Sequence, residues 1–304
     1  MKILRAEHLG MCFGVRDALA LAADEAARGP ATVLGQLVHN EQVLSRLRAQ
    51  GLKLETDLAA VTTQTVVITA HGTSERRLEE VRATGRRVLD ATCPLVQVAH
   101  RALADLVRRG YHPLVIGQRD HVEVRGLTGD FPECDVILTE AELATLAPRD
   151  KFGVISQTTQ PVDRVRRLVA ALRERFPASE VAFRDTVCQP TKQRQSAAEA
   201  LARRCDVVLV LGGAHSNNTR ELVATCSRHC ARVFHIQTAS DLNEDWLADG
   251  DTVGLTAGTS TPDDLIRAVE LRLQQIASRA MEPMAFTSFA GTVPQLVAHS
   301  ASAV

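Results

Sequence analysis

No stretch of about 18 consecutive apolar residues occurs in this 304-residue chain, so no bilayer-spanning helix is expected. The start, Met1 to His8, lacks the apolar core of a secretory signal, and the expectation is a cytoplasmic protein. Net charge is also scarce. Thirty-five basic residues against 36 acidic ones leave a formal charge of -1. That excludes a generic nucleic-acid or polyanion binder, and leaves any phosphate recognition to a local pocket. Neither the phosphate-loop pattern nor the G-x-G-x-x-G fingerprint occurs, which argues against a nucleotide ligand. A disulfide framework is not indicated either. The chain has seven cysteines, an odd number. In a reducing compartment, cysteines in turns read as metal ligands or reactive thiols.

What remains is an ordinary globular composition, 45% hydrophobic and 23% charged, in a chain long enough for two or three domains. Short apolar runs such as Thr65–Thr69, Pro113–Ile116, Val207–Leu211 and Val253–Leu255 alternate with helical patterns such as Glu41–Ala49 and Pro161–Phe176. This alternation predicts an α/β fold with mostly parallel sheets. Polar clusters follow nearly every predicted strand, where parallel sheets bind their ligands.

The stretch Asp90-Ala91-Thr92-Cys93-Pro94-Leu95-Val96 is the most informative. An apolar run leads into a cysteine, and a proline suited to a first helical turn follows at once. Cys93 is therefore expected at a helix start, where the helix amides favour a thiolate. Cys12 and Cys188 also sit in turns before helices, 81 residues before and 95 residues after Cys93. The near-even spacing predicts three similar α/β lobes: residues 1–93, including the N-terminal strand, 94–187 and 188–280, with an extension over 281–304. Three converging thiolates suit an iron–sulfur cluster, or a zinc site, with one position left open for chemistry. Cys134, Cys205, Cys226 and Cys230 read instead as small buried hydrophobes. A metal pair at Cys226 and Cys230 with His229 is the weaker alternative.

A second constellation lies at other strand ends. His39, His71 and His121, with Ser216, Asn218 and Ser260, form a set of neutral hydrogen-bonding groups. The helix opening at Thr219 and Arg220 offers free N–H groups to an anion. Gly72, Gly213 and Gly258 would permit close backbone approach. Such a set suits a diphosphate. Glu123, two residues from His121, is a candidate proton relay to a leaving hydroxyl, the alternative being a solvated loop acid.

The stretches Gly10–Val15, Val38–Asn40, Ala70–Gly72, Asp90–Val96, His121–Val124, Gln157–Thr159, Cys188, Ser216–Asn218 and Thr256–Ser260 together resemble the 4-hydroxy-3-methylbut-2-enyl diphosphate reductase family, in family order. Phe13, Val122, Asn217 and the segment just after Cys188 depart from the family pattern, though within that segment Thr191, Arg194 and Gln195 fit it. The resemblance implies three α/β lobes around one [4Fe–4S] cluster held by Cys12, Cys93 and Cys188. It implies diphosphate binding by His39, His71, His121, Ser216, Asn217, Asn218 and Ser260. Glu123 would be the proton donor, with Thr158 orienting the hydroxyl. The products would be isopentenyl and dimethylallyl diphosphate, and ferredoxin or flavodoxin would supply the electrons. A non-catalytic iron–sulfur protein and a zinc hydrolase with Glu123 as base are the alternatives. The joint presence of Glu123, Thr158 and the histidines disfavours the first, and metal analysis would exclude the second.

Overall fold

A computed structural model describes residues 1–279. The expected C-terminal extension over 281–304 lies outside the described residues. Strand β1 (Lys2–Arg5) leads through a glycine turn to α1 (Phe13–Arg28), β2 (Ala31–Leu34), α2 (Glu41–Ala49), β3 (Lys53–Glu55), β4 (Thr65–Ile68), α3 (Glu75–Ala83) and β5 (Arg87–Asp90). The alternation continues with α4 (Pro94–Arg108), β6 (His112–Ile116), α5 (Val122–Thr128), β7 (Asp135–Ile137), α6 (Glu140–Ala144), β8 (Lys151–Ser156), α7 (Val162–Arg175) and β9 (Glu180–Phe183). Last come α8 (Gln189–Ala202), β10 (Val207–Leu211), α9 (Asn217–Ser227), β11 (Arg232–Ile236), β12 (Thr252–Ala257) and α10 (Asp263–Arg279).

The strands form three four-stranded sheets, with orders β3-β2-β4-β5, β7-β6-β8-β9 and β11-β10-β12-β1. Every strand pair is parallel. This is the predicted class, three α/β lobes with parallel sheets. Central strands such as β4 and β10 are apolar and buried along their whole length, as strands covered on both faces must be.

One placement differs from expectation. The sequence reading puts the N-terminal strand in the first lobe, but β1 pairs with β12, Ile3 opposite Val253. Proximity along the chain favours the first lobe; packing decides otherwise. Ile3 joins the apolar cluster of Leu209, Val253 and Ile266, and Leu4 joins that of Ala198, Val208 and Leu222. The strand orders explain why. Each sheet has the same arrangement, and β1 occupies in the third sheet the edge that β5 and β9 occupy in the others. The chain thus begins with the last strand of its third lobe.

That arrangement positions the cysteines. Cys12 follows β1, Cys93 follows β5 and Cys188 follows β9. At each one the chain leaves the edge strand of one sheet and enters a helix that packs in the next lobe. Ala18 and Ala22 of α1 pack on Val33 of β2, Leu103 of α4 is grouped with Val115 of β6, and Ala198 of α8 is grouped with Val208 of β10. Polar ties close the three interfaces. Arg46 pairs with Asp264 at 2.5 Å and Arg164 with Glu221 at 2.5 Å. The Asp130 carboxylate accepts the first amides of α3, from Glu75 at 2.8 Å and Arg76 at 2.9 Å.

Candidate active site

Each of the three junction cysteines is the N-cap of its helix: Cys12 for α1, Cys93 for α4 and Cys188 for α8. Pro94 lies in the first turn of α4 and Pro190 in that of α8. Here proline's missing N–H has no intrahelical acceptor to lose. Helix α1 begins at Phe13, directly after Cys12. Gly14, which reads as part of a turn, is helical because the neighbouring lobe leaves room only for hydrogen. A Cβ on Gly14 would overlap the sulfur of Cys93.

All three sulfur-bearing residues line one cavity of about 670 Å³, together with every other predicted site residue: His39, His71, His121, Glu123, Thr158, Ser216, Asn217, Asn218 and Ser260. These residues come from all three lobes, so the cavity is where the lobes meet. Thr191, three residues after Cys188, lines it too, and its Oγ1 lies 3.1 Å from the Cys188 sulfur. The sequence shows Thr191 only as a residue that fits the family pattern after Cys188, with no role attached to it.

The thiols differ from expectation. The amides of Leu95 and Val96 do favour the Cys93 thiolate, but burial outweighs them and the thiol is pushed up. Burial likewise pushes Cys188 up to about 11, against hydrogen bonds from Thr191. A helix start alone does not make these groups thiolates near neutrality; a bound cation would have to displace the protons.

The three imidazoles pack ring to ring, with centroids 4.5 Å apart for His39 and His71, 5.1 Å for His39 and His121, and 5.5 Å for His71 and His121. One nitrogen from each lies within 4.8 Å of the others, a grouping that is also able to hold a metal ion. All three are neutral in mild acid. Burial lowers His39 to about 4 and His121 to about 3, and burial with its two neighbours holds His71 well below the usual range. His121 caps α5, and its Nδ1 accepts the amide of Glu123 at 3.1 Å. An amide can only donate, so the neutral His121 ring carries its proton on Nε2. His39 Nε2 and His71 Nδ1 are buried without hydrogen-bond partners among the described residues.

Glu123 is not a solvated loop acid. It lies in the first turn of α5 and is only 2% exposed. Its Oε1 accepts the Thr158 amide at 2.6 Å. Burial raises its pKa to about 7, against the opposing pull of that hydrogen bond. A buried carboxyl poised near neutrality is a competent proton donor.

Ser216 caps α9, with its Oγ accepting the Thr219 amide at 3.3 Å, so the helix opens at Asn217, earlier than predicted. The amides of Asn217 and Asn218 therefore have no intrahelical acceptor. Asn218 is 2% exposed and both its side-chain polar atoms lack partners among the described residues, whereas Asn217 donates to Thr159 O at 3.3 Å and Thr159 Oγ1 at 3.1 Å. Asn40 Nδ2 donates to Ser260 O at 3.0 Å, tying the His39 loop to the Ser260 loop. The glycines do less for a ligand than expected. A Cβ on Gly213 would overlap the His39 carbonyl, and one on Gly258 would overlap Thr219 Oγ1, so both serve close packing of the protein on itself. Of the remaining cysteines, Cys226 and Cys230 are buried, and His229 lies 3.3 Å from Glu199.

The comparisons with known proteins agree in scope. The LytB protein family model matches residues 3–274. The 4-hydroxy-3-methylbut-2-enyl diphosphate reductase of Trichlorobacter lovleyi is 36% identical over 278 residues, 91% of this chain and 99% of that protein. The reductase of the same name from Aquifex aeolicus is 34% identical over 280 residues, covering 90% and 96%. Among solved structures, an (E)-4-hydroxy-3-methyl-but-2-enyl diphosphate reductase superposes with a TM-score of 0.67 at 33% identity, covering 90% of this chain and all of that one. The E-1-hydroxy-2-methyl-but-2-enyl-4-diphosphate reductase of Plasmodium falciparum gives 0.82 at 26% identity, covering 93% and 89%. The chain belongs to the LytB protein family.

Proposed function

We propose that this protein is a 4-hydroxy-3-methylbut-2-enyl diphosphate reductase, the enzyme that forms isopentenyl and dimethylallyl diphosphate in the last step of the methylerythritol phosphate route. The observation that carries the proposal is the convergence on one cavity of three helix-capping cysteines, a buried carboxyl and a cluster of neutral histidines.

The donor set fits a [4Fe–4S] cluster. Three sulfurs from three lobes face the cavity, and hydrogen alone at Gly14 leaves room beside Cys93. Cys12, Cys93 and Cys188 would hold three irons. When bound, the cluster supplies electrons and an open Lewis-acidic iron for the substrate's hydroxyl. The rest falls to the protein. His39, His71 and His121, with Ser216, Asn218, Ser260 and the opening amides of α9, bind the diphosphate. Asn217 steadies that helix start through Thr159. His121 donates from Nε2. Glu123 keeps Oε1 on the Thr158 amide, so its proton rides on Oε2 and passes to the departing oxygen, which leaves as water. Thr158 orients the hydroxyl. Two electrons and a second proton, delivered to the allylic carbon skeleton, complete the balance. The electrons come from a small carrier of the ferredoxin or flavodoxin type, since the chain has no nucleotide fingerprint of its own.

The test is anaerobic preparation with iron and sulfide, then reduction with 4-hydroxy-3-methylbut-2-enyl diphosphate and separation of the products. Both isomeric alkenyl diphosphates are expected. A colourless chain that retains only zinc and leaves the substrate unreduced would sink the proposal.

A further inference from the structure

Arg194 is a buried cation with no carboxylate beside it among the described residues. It is 7% exposed, and its guanidinium donates only to backbone carbonyls: Nε and Nη2 to Gly10 O at 2.9 and 2.7 Å, and Nη1 to Pro190 O at 3.0 Å. Gly10 is two residues before Cys12, and Pro190 is two residues after Cys188. The guanidinium is thereby held next to two of the three cysteines, and it does not line the substrate cavity. Carbonyl dipoles satisfy its N–H groups but do not neutralise its charge, and an uncompensated buried charge is costly. Burial works against its charged form and lowers its pKa; the nearby groups that favour the charge are the sulfurs of Cys12 and Cys188, with Arg16 opposing.

The repeated architecture shows that the fold does not require this charge. Arg194 is the sixth residue after its capping cysteine on α8. The corresponding positions on α1 and α4 are Ala18 and Ala99, both fully buried. Two lobes fill the position with a methyl group. The third fills it with a guanidinium that does not line the cavity.

We propose that Arg194 is the internal counter-cation of the cysteine-held iron–sulfur cluster, a positioning residue that favours its reduced, more negative state. The assignment rests on the cluster-bearing reductase reading above. Net charge and hydrogen bonding around the sulfurs are among the levers that set a cluster's potential. Removing a fixed positive charge therefore makes reduction harder.

The experiment compares the full chain with Arg194→Gln, which keeps hydrogen bonding without charge, and with Arg194→Lys, which keeps the charge. Each is loaded anaerobically, assayed for iron and sulfide, and titrated electrochemically while the cluster absorbance is followed. Arg194→Gln is expected to shift the oxidised-to-reduced ratio at a fixed potential at least tenfold toward the oxidised form. That is a midpoint about 59 mV lower for a one-electron couple. Arg194→Lys should stay near the parent value. A loaded Arg194→Gln with the parent's midpoint overturns the assignment. So does Arg194→Lys shifting as far as Arg194→Gln, which would mark a purely structural tie. If the parent chain itself takes up no iron and sulfide, it is the reductase reading that fails.

Discussion

Replacing Glu123 by Gln should remove turnover while stabilising the protein in mild alkali. The two effects have one cause. Glu123 is almost fully buried, and burial raises its pKa from 4.5 to about 7. In the unfolded chain the carboxyl ionises near 4.5, but in the folded chain it keeps its proton to about 7. Between those values the folded state binds more protons, so stability falls as pH rises through the window. At about 1.4 kcal/mol per pKa unit, the cost is roughly 1 kcal/mol at pH 5 and approaches about 3 kcal/mol at pH 8. Glutamine carries no charge to desolvate, and its side-chain oxygen can still accept the Thr158 amide that now bonds Glu123 at 2.6 Å. Denaturant unfolding of the metal-free pair at pH 5 and pH 8 should therefore show the Gln variant gaining about 2 kcal/mol relative to the parent between the two pH values. Its kcat should fall by about 100-fold or more, and the parent's loss of rate above about pH 7 should vanish from what remains. A Gln variant whose relative stability does not change with pH would show that the carboxyl is not held protonated. Full turnover in that variant would end its role as donor.

The histidines predict the opposite slope. With His39 lowered to about 4 and His121 to about 3, the unfolded chain binds more protons below about pH 6.5, so metal-free stability should drop on acidification. His39 alone contributes about 2 kcal/mol of that loss by pH 5, and equal denaturation midpoints at pH 7 and pH 5 in the Glu123→Gln chain, where the opposing carboxyl is absent, would contradict it. Gly14→Ala would drive a methyl group into the Cys93 sulfur. It should lower the iron bound per chain and cost about 1–3 kcal/mol of stability; a variant with the parent's iron content would refute the packing argument. Gly213→Ala would press on the His39 carbonyl and displace the first lobe's histidine loop. A rise in KM of about tenfold or more with a smaller change in kcat is expected, and an unchanged KM would show that the loop yields without moving the ring.

What the sequence made legible was the local chemistry of each turn. Cys93 was readable as a helix cap because an apolar run precedes it and a proline follows it. Cys12 and Cys188 were readable by analogy and by spacing. What it hid were relations settled by packing between distant segments. Strand β3 has three residues and two charges, and β11 is an edge strand with mixed polarity, so neither has the apolar run of a buried strand. Glu123 looks like an ordinary acid two residues from a histidine, because nothing local records that α5 turns it into the cavity. The N-terminal strand is the clearest case. Lys2–Arg5 is a short apolar pair between two charged residues, and its partner lies some 250 residues away. Once β1 is placed as the last strand of the third lobe, the cysteines cease to be three similar turns and become the three crossings of a closed cycle. Each crossing carries a sulfur to the common centre, and a substrate enclosed there meets groups from every lobe. The cycle also gives Arg194 its meaning. Against Ala18 and Ala99 it is a departure from the repeat, and a departure beside two sulfurs is where a fold built from three like parts makes one side of its centre electrically different from the others.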